Sequence, residues 1–195
     1  MKLILASTSP RRKSLLASLR VPFETTSPSF DEEAVPFAGD PTLHAVQLAE
    51  GKASSVRAEG IVLAADTLVY CEGRLFPKPG TIERAKVTLS QLVGKTHTVI
   101  TAVTARCQGQ VETETRSTKV TFYPLTETQI DHYVRAIDPT DKAGGYTIEG
   151  AGGLVVKEIY GCYSNVLGLP LHAAALVLKR CGLDLWQQLD WPYSS

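Results

Sequence analysis

The sequence predicts an α/β fold built on a mixed central β-sheet with flanking helices. Three observations carry that expectation. Short apolar runs at 3–6 and 61–65 have the length and composition of buried strands. Helix-start signals recur along the chain, at Ser9–Pro10, Asp40–Pro41, Thr81, and Thr126 with Gln129. Two long β-branched runs, 96–107 and 111–122, flank "CQGQ" as the arms of a hairpin, which breaks the simple strand–helix alternation of an all-parallel sheet.

Taken in order, 3–6 forms the first strand. Ser9 then caps a helix whose first position, Pro10, needs no N–H. Asp40–Pro41 repeats the device and opens a helix through Leu43, Val46, Ala49, Ala53 and Val56, which Gly51 weakens. The apolar run 61–65 stops abruptly at Asp66, as a buried strand does when it delivers a polar residue at its end. Thr81 caps a helix with Ala85, Leu89, Leu92 and Val93 on one face, stopped by Gly94. After the hairpin, Thr126 and Gln129 make a capping box for a helix through Ile130, Tyr133, Val134 and Ile137. Five glycines crowd the eleven positions of "AGGYTIEGAGG", 143–153. A strand over 154–159 follows, and Gly168–Leu169–Pro170 leads into the last helix, ending near Cys181–Gly182. Residues 187–195 read as a loose tail.

With 195 residues, 44% of them hydrophobic and 21% charged, the chain suits one sizeable domain or two small lobes sharing a core. Twenty basic and twenty acidic residues cancel, so no global field draws in nucleic acid and any anion recognition must be local. Cys71, Cys107, Cys162 and Cys181 are far apart, with no C-x-x-C pair and no neighbouring His, which argues against zinc. They are expected to be reduced structural thiols. The opening "MKLILASTSPRR" has too short an apolar run for a signal peptide, and no stretch approaches the roughly 18 apolar residues of a membrane span. The expected location is the cytoplasm.

Against this neutral background one cluster stands out. Arg11, Arg12 and Lys13 fill the first turn of a helix whose N-terminus already carries roughly half a positive charge. Solvated surface cations would explain them, but so would a polyphosphate. Ser7, Thr8 and Ser9 supply hydroxyls, the turn supplies N–H groups, and each guanidinium can grip two oxygens. On the acidic side, "FDEEAV" gathers Asp31, Glu32 and Glu33 in a loop, and Asp66 sits at a strand end, where open α/β sheets bind ligands. Carboxylates that hold a divalent ion through waters beside a polyphosphate, with one orienting the attacking water, fit that combination. Lys78 is held between two prolines, whereas Lys52 could equally be an ordinary exposed helix position. The glycine-rich run has neither the Walker nor the dinucleotide spacing. His44, His97, His132 and His172 show no partner spacing, and no Ser–His–Asp set emerges.

"LASTSPRRKSLL", "DEE" at 31–33, "AADT" at 64–67, "PKP" at 77–79, "DKAGGYTIEG" at 141–150 and "NVLGLPL" at 165–171 together resemble the Maf family. The resemblance runs from residue 3 to about 185. It implies one domain over 1–186, a fold related to the inosine triphosphate pyrophosphatases with two lobes around a cleft, and a homodimer. The implied activity is metal-assisted hydrolysis of nucleoside triphosphates to the monophosphate and pyrophosphate, with Mg²⁺, Mn²⁺ or Co²⁺. Stable nucleic-acid or membrane binding is not expected. Carried over by motif, Ser7, Arg11, Arg12, Lys52 and Lys78 contact phosphates. Glu32 and Asp66 are the catalytic carboxylates and metal ligands, with Asp66 as the base. Most motifs resemble the dTTP/UTP pyrophosphatase branch. Glu149, however, stands where that branch has Gln, as in the 7-methyl-GTP branch, and reads as a base-recognition residue. An ionised Glu only accepts hydrogen bonds, so it favours base edges that present N–H groups. The alternatives are a 7-methyl-GTP-type enzyme and a nucleotide-sensing regulator of septum formation with little turnover.

Overall fold

Alternation along two short apolar strands decides what lies on each side of the sheet. In the computed structural model, which describes residues 1–189, the chain runs β1 (Leu3–Ala6), α1 (Pro10–Ala17), β2 (Glu24–Thr26), α2 (Pro41–Ser55), β3 (Ile61–Cys71) and β4 (Arg74–Leu75). It continues through α3 (Ile82–Leu92), β5 (Thr96–Cys107), β6 (Gln110–Phe122), α4 (Glu127–Ile137), β7 (Val156–Tyr160), α5 (Tyr163–Val166), α6 (Leu171–Arg180) and α7 (Leu185–Gln188). The sheet order is β2-β1-β3-β5-β6-β7, with β4 on β3. β1 is parallel to β2 and β3, whereas β4 and β7 are antiparallel to their neighbours, so the sheet is mixed, as predicted.

The chain divides into two units. The first comprises 1–66, 101–116 and, of the described residues, 168–189. Here Leu3, Leu5, Ile61, Leu63 and Ala65 share a core with Leu16 of α1 and Val177 and Leu178 of α6. The alternate residues, Ile4, Ala6, Val62 and Ala64, pack with Ala53 and with Val56, just past the end of α2. Both faces of these strands are covered, which is why they read as continuous apolar runs rather than alternating ones. The strand expected to end at Asp66 continues to Cys71, so the apolar run stops at Asp66 and β3 does not. Parity places Asp66 on the α2 face, two residues beyond Ala64.

The second unit comprises 67–100 and 117–167. Val69, Leu89, Val99, Val120, Phe122, Ile130 and Val134 form its core. The rings of His97, Phe122 and Tyr146 meet edge to face in that core. His97 Nε2 and the Tyr146 hydroxyl are 2.8 Å apart.

The predicted caps are present. Ser9, Asp40 and Thr81 each accept a backbone N–H of their helix, and Thr126 with Gln129 closes both bonds of a capping box. The expected hairpin turns on Gln108 and Gly109, both with positive φ, the twist a two-residue connection requires. The strand expected over 154–159 begins at Val156, because the chain first makes a tight 3₁₀ stretch, Gly150–Val155. A Cβ on Gly152 there would collide with Thr147. The helix ending at Arg180 is followed by α7, capped by Asp184. Residues 187 and 188 of the expected tail close α7, and 190–195 lie outside the described residues.

The cysteines correct the expectation of four free thiols. Cys107 and Cys181 form a disulfide with Cα atoms 5.9 Å apart, and Cys71 and Cys162 are free. A sequence separation of 74 hid the pair; the fold brings the end of β5 to the end of α6.

Candidate active site

Six of the predicted residues fall within the first unit: Ser7, Arg11, Arg12, Glu32, Lys52 and Asp66. β1 delivers Ser7 at its end, and the Ser7 hydroxyl accepts the N–H of Ser9 at 3.2 Å, tightening the turn into α1. Arg11 and Arg12 then stand half-buried at the helix start, while Lys13 is exposed. Arg12 is anchored across the fold: its Nε donates to the carbonyl of Gly168 at 2.7 Å. Burial holds its guanidinium below the ordinary value. Asp66 opposes that shift, Arg11 adds to it, and Glu32 opposes it.

A buried cluster of charges forms between α2 and β3. Lys52 is buried, not solvent-facing, with only 7% of its surface exposed, and Asp66 is 5% exposed. Lys52 Nζ donates to Asp66 Oδ1 at 2.5 Å and pairs with Glu32 Oε2 at 2.9 Å. Glu32 itself is exposed. Asp66 Oδ2 is buried and has no hydrogen-bond partner among the described residues. A buried carboxylate oxygen left bare costs free energy, about 1–3 kcal/mol or more for a charged group, so the site is one donor or one cation short.

Positioning residues that the sequence did not disclose complete this centre. Gly51 lies against the Phe30 ring so closely that a Cβ there would come 2.2 Å from Cζ. The glycine that weakens α2 thus docks the residue preceding Asp31–Glu32–Glu33. Asp31 Oδ1 accepts the N–H of Glu33 at 3.1 Å, and Val35 N–H donates to the Glu32 carbonyl at 3.3 Å, curling the acidic loop. Just beyond Gly51, at the C-terminal end of α2, Arg106 donates to the carbonyls of Ala53 and Val56, at 3.1 and 2.5 Å. A glycine at a mid-helix position was the one available signal for this packing. Gly168 reads only as the lead into the last helix and as part of a motif, and nothing in the sequence marks Arg106.

Lys78 and Glu149 belong to the second unit. Lys78 is exposed in a loop pinned by three backbone bonds, Phe76 N–H to Val69, Gly80 N–H to Thr140 and Gly144 N–H to Phe76. The glycine-rich segment is therefore anchored rather than loose, and 144–147 is buried. Glu149 is exposed, with its N–H on the Thr147 hydroxyl at 3.3 Å.

Among the described residues no three His, Cys, Asp or Glu side chains converge to hold an ion unaided. Two carboxylates, one with a bare buried oxygen, suit instead a hard divalent ion that draws its remaining ligands from phosphates and water. No helix among the described residues is long and apolar enough to cross a membrane.

Comparison with known proteins gives concordant matches. A family profile described as "Maf-like protein" matches residues 2–181. The chain is 46% identical to a dTTP/UTP pyrophosphatase of Halalkalibacterium halodurans, covering 93% of this chain and 97% of that one. It is 42% identical to a dTTP/UTP pyrophosphatase of Chlamydia felis over 96% and 98%. A nucleoside triphosphate pyrophosphatase of Chlamydia muridarum is 35% identical over the same shares. Among solved structures, the Staphylococcus aureus Ham1 protein matches with a TM-score of 0.42 and 12% identity, covering 63% of this chain and 72% of that one, too distant to add to the fold seen directly.

Proposed function

The chain belongs to the Maf family, and on that premise we propose that it hydrolyses dTTP and UTP to the nucleoside monophosphate and pyrophosphate. The observation that carries the reading is the buried Asp66, bare at Oδ2 and joined through Lys52 to Glu32, in the same unit as the Arg11–Arg12 helix start. Ser7, Arg11 and Arg12 bind the triphosphate, with Lys52 and Lys78 as further phosphate contacts. Each guanidinium can take two phosphate oxygens, and Arg12 is kept in register by Gly168. Asp66 accepts a proton from the water that attacks the α-phosphorus, and the bond to the bridging oxygen of the pyrophosphate breaks. Before nucleotide binds, Lys52 fixes Asp66 Oδ1 and so holds Oδ2 in a defined direction. Glu32 and Asp66 would hold the Mg²⁺, Mn²⁺ or Co²⁺ ion, whose chemistry when bound is neutralisation of phosphate charge.

Glu149 reads the base in this proposal. As an acceptor it favours edges with N–H donors, which widens the expected substrates toward cytosine and guanine nucleotides and favours the 7-methyl-GTP reading as the second choice. A homodimer and a cytoplasmic location belong to the same proposal. Light scattering and fractionation test them.

The deciding assay is pyrophosphate release from dTTP, UTP, CTP, GTP and 7-methyl-GTP with Mg²⁺ or Mn²⁺. Asp66→Asn should lose at least 100-fold in kcat while melting cooperatively, and Glu149→Gln should reorder the nucleotides. Absence of turnover on every nucleotide, with binding retained, overturns the enzyme in favour of the sensing role.

A further inference from the structure

Lys52 spans the two carboxylates that the proposed reaction assigns to a divalent ion, 2.5 Å from Asp66 Oδ1 and 2.9 Å from Glu32 Oε2. Lys52 and Asp66 are both buried, so bulk water screens neither, and Asp66 Oδ2 still lacks a partner. An ammonium is thus lodged where a cation of higher charge would be better satisfied. We infer that Lys52 is a displaceable internal cation, which neutralises Glu32 and Asp66 while the nucleotide is absent and thereby keeps free divalent ions off the pair.

Two cations on one pair of carboxylates repel strongly at short range in a poorly screened site. The ion can settle only when the ammonium has somewhere else to go. Triphosphate oxygens supply that place, because an ammonium is a compact charge on a flexible four-carbon stem and can swing between acceptors. Arg12 cannot make the same exchange, since its Nε is committed to Gly168. The consequence is an order of binding: the ion enters with the nucleotide rather than ahead of it. The identity of the anion rests on the pyrophosphatase reading; the competition between Lys52 and a divalent ion does not.

The test measures Mn²⁺ binding without nucleotide, by the electron paramagnetic resonance signal of free Mn²⁺, on the full chain. Lys52→Met should bind Mn²⁺ at least tenfold more tightly than wild type, and Lys52→Arg, which keeps the charge, no more tightly. Adding Asp66→Asn to Lys52→Met should abolish the gain. Equal affinity of wild type and Lys52→Met, or tight binding by wild type alone, overturns the inference. Lys52→Met also leaves a buried carboxylate unpaired and can weaken the fold. If circular dichroism finds it unfolded, Mn²⁺ should restore the native signal at concentrations that leave the wild-type melting temperature unmoved; failure to restore it counts against the inference. Since no nucleotide is present, the result stands whether or not the pyrophosphate-release panel succeeds.

Discussion

Gly51→Ala separates stability from function at this site. In a helix interior, Ala is favoured over Gly by about 0.8–1 kcal/mol, so propensity alone would make the variant more stable. The new Cβ, however, would sit 2.2, 2.4 and 2.7 Å from three atoms of the Phe30 ring. Carbon atoms need about 3.5 Å, so the ring must retreat by roughly 1.3 Å. Phe30 is only half-buried and can swing outward, which keeps the cost to stability small. The chain that moves with it continues Asp31–Glu32, so Phe30 lies two residues before the Glu32 carboxylate held by Lys52. A misplacement of about 1 Å in a reacting constellation can cost on the order of 100-fold in rate. The expected outcome is a melting temperature within about 3 °C of wild type, kcat lowered about 10- to 100-fold, and nucleotide binding little changed. Trimming the ring in the double variant Gly51→Ala/Phe30→Leu should recover much of the rate. Wild-type kcat in Gly51→Ala would refute the claim that the Gly51–Phe30 contact sets the acidic loop. The same holds for a loss that Phe30→Leu fails to relieve.

Arg12→Lys keeps a cation but forfeits the Nε bond to Gly168, so the urea midpoint should report about 1 kcal/mol lost and kcat/KM should fall at least tenfold. Burial lowers the pKa of His97 from 6.5 to about 4. The stability gained by keeping it neutral is present above pH 6.5 and lost as pH falls toward 4, roughly 3 kcal/mol across that window. His97→Phe should therefore gain on wild type by that amount between pH 7 and pH 4, measured by urea unfolding at both. Breaking the Cys107–Cys181 bond, which closes a loop of 74 residues, should cost about 4 kcal/mol on the chain-entropy account. Cys181→Ser and reduced wild type should melt alike, and thiol counting on the unreduced, denatured chain should find two reactive cysteines, Cys71 and Cys162.

Local signals were legible in the sequence wherever one residue type answers one backbone need. Ser9–Pro10, Asp40–Pro41 and the Thr126–Gln129 box mark helix starts because each places an acceptor or a missing donor at an unsatisfied N–H. The apolar stop at Asp66 was legible for a similar reason, since a carboxylate after a buried run must find a partner. That partner was not. Lys52 lies mid-helix, where exposed lysines are common, and only the parity of β3 and the rotation of α2 turn it inward. Gly51 looked like a defect because propensity scores a helix in isolation, and its compensation comes from Phe30, 21 residues earlier. Cys107 and Cys181 escaped notice because a pairing across 74 residues depends on where β5 and α6 end, which no local pattern encodes.

The charges of the first unit show two deficits of opposite sign. Arg11 and Arg12 stand at a helix start with no acidic residue in its first turn, and the nearby carboxylates do not fully offset the burial of Arg12, whose pKa stays depressed. The first turn of α1 supplies no anion of its own there. A few side chains away, Asp66 presents a bare buried oxygen and shares a single ammonium with Glu32, so that end lacks a cation. A lone phosphate ion would answer only the first need, and a lone metal ion only the second while being repelled by Lys52. A buried ion pair is often no more stable than well-packed apolar residues in its place, so stability alone does not account for keeping these groups. A divalent metal complexed with a polyphosphate, the ligand proposed for this site, would meet both needs at once. It would bring anionic oxygens to the helix start and to Lys52, and a doubly charged ion to the carboxylates that Lys52 releases.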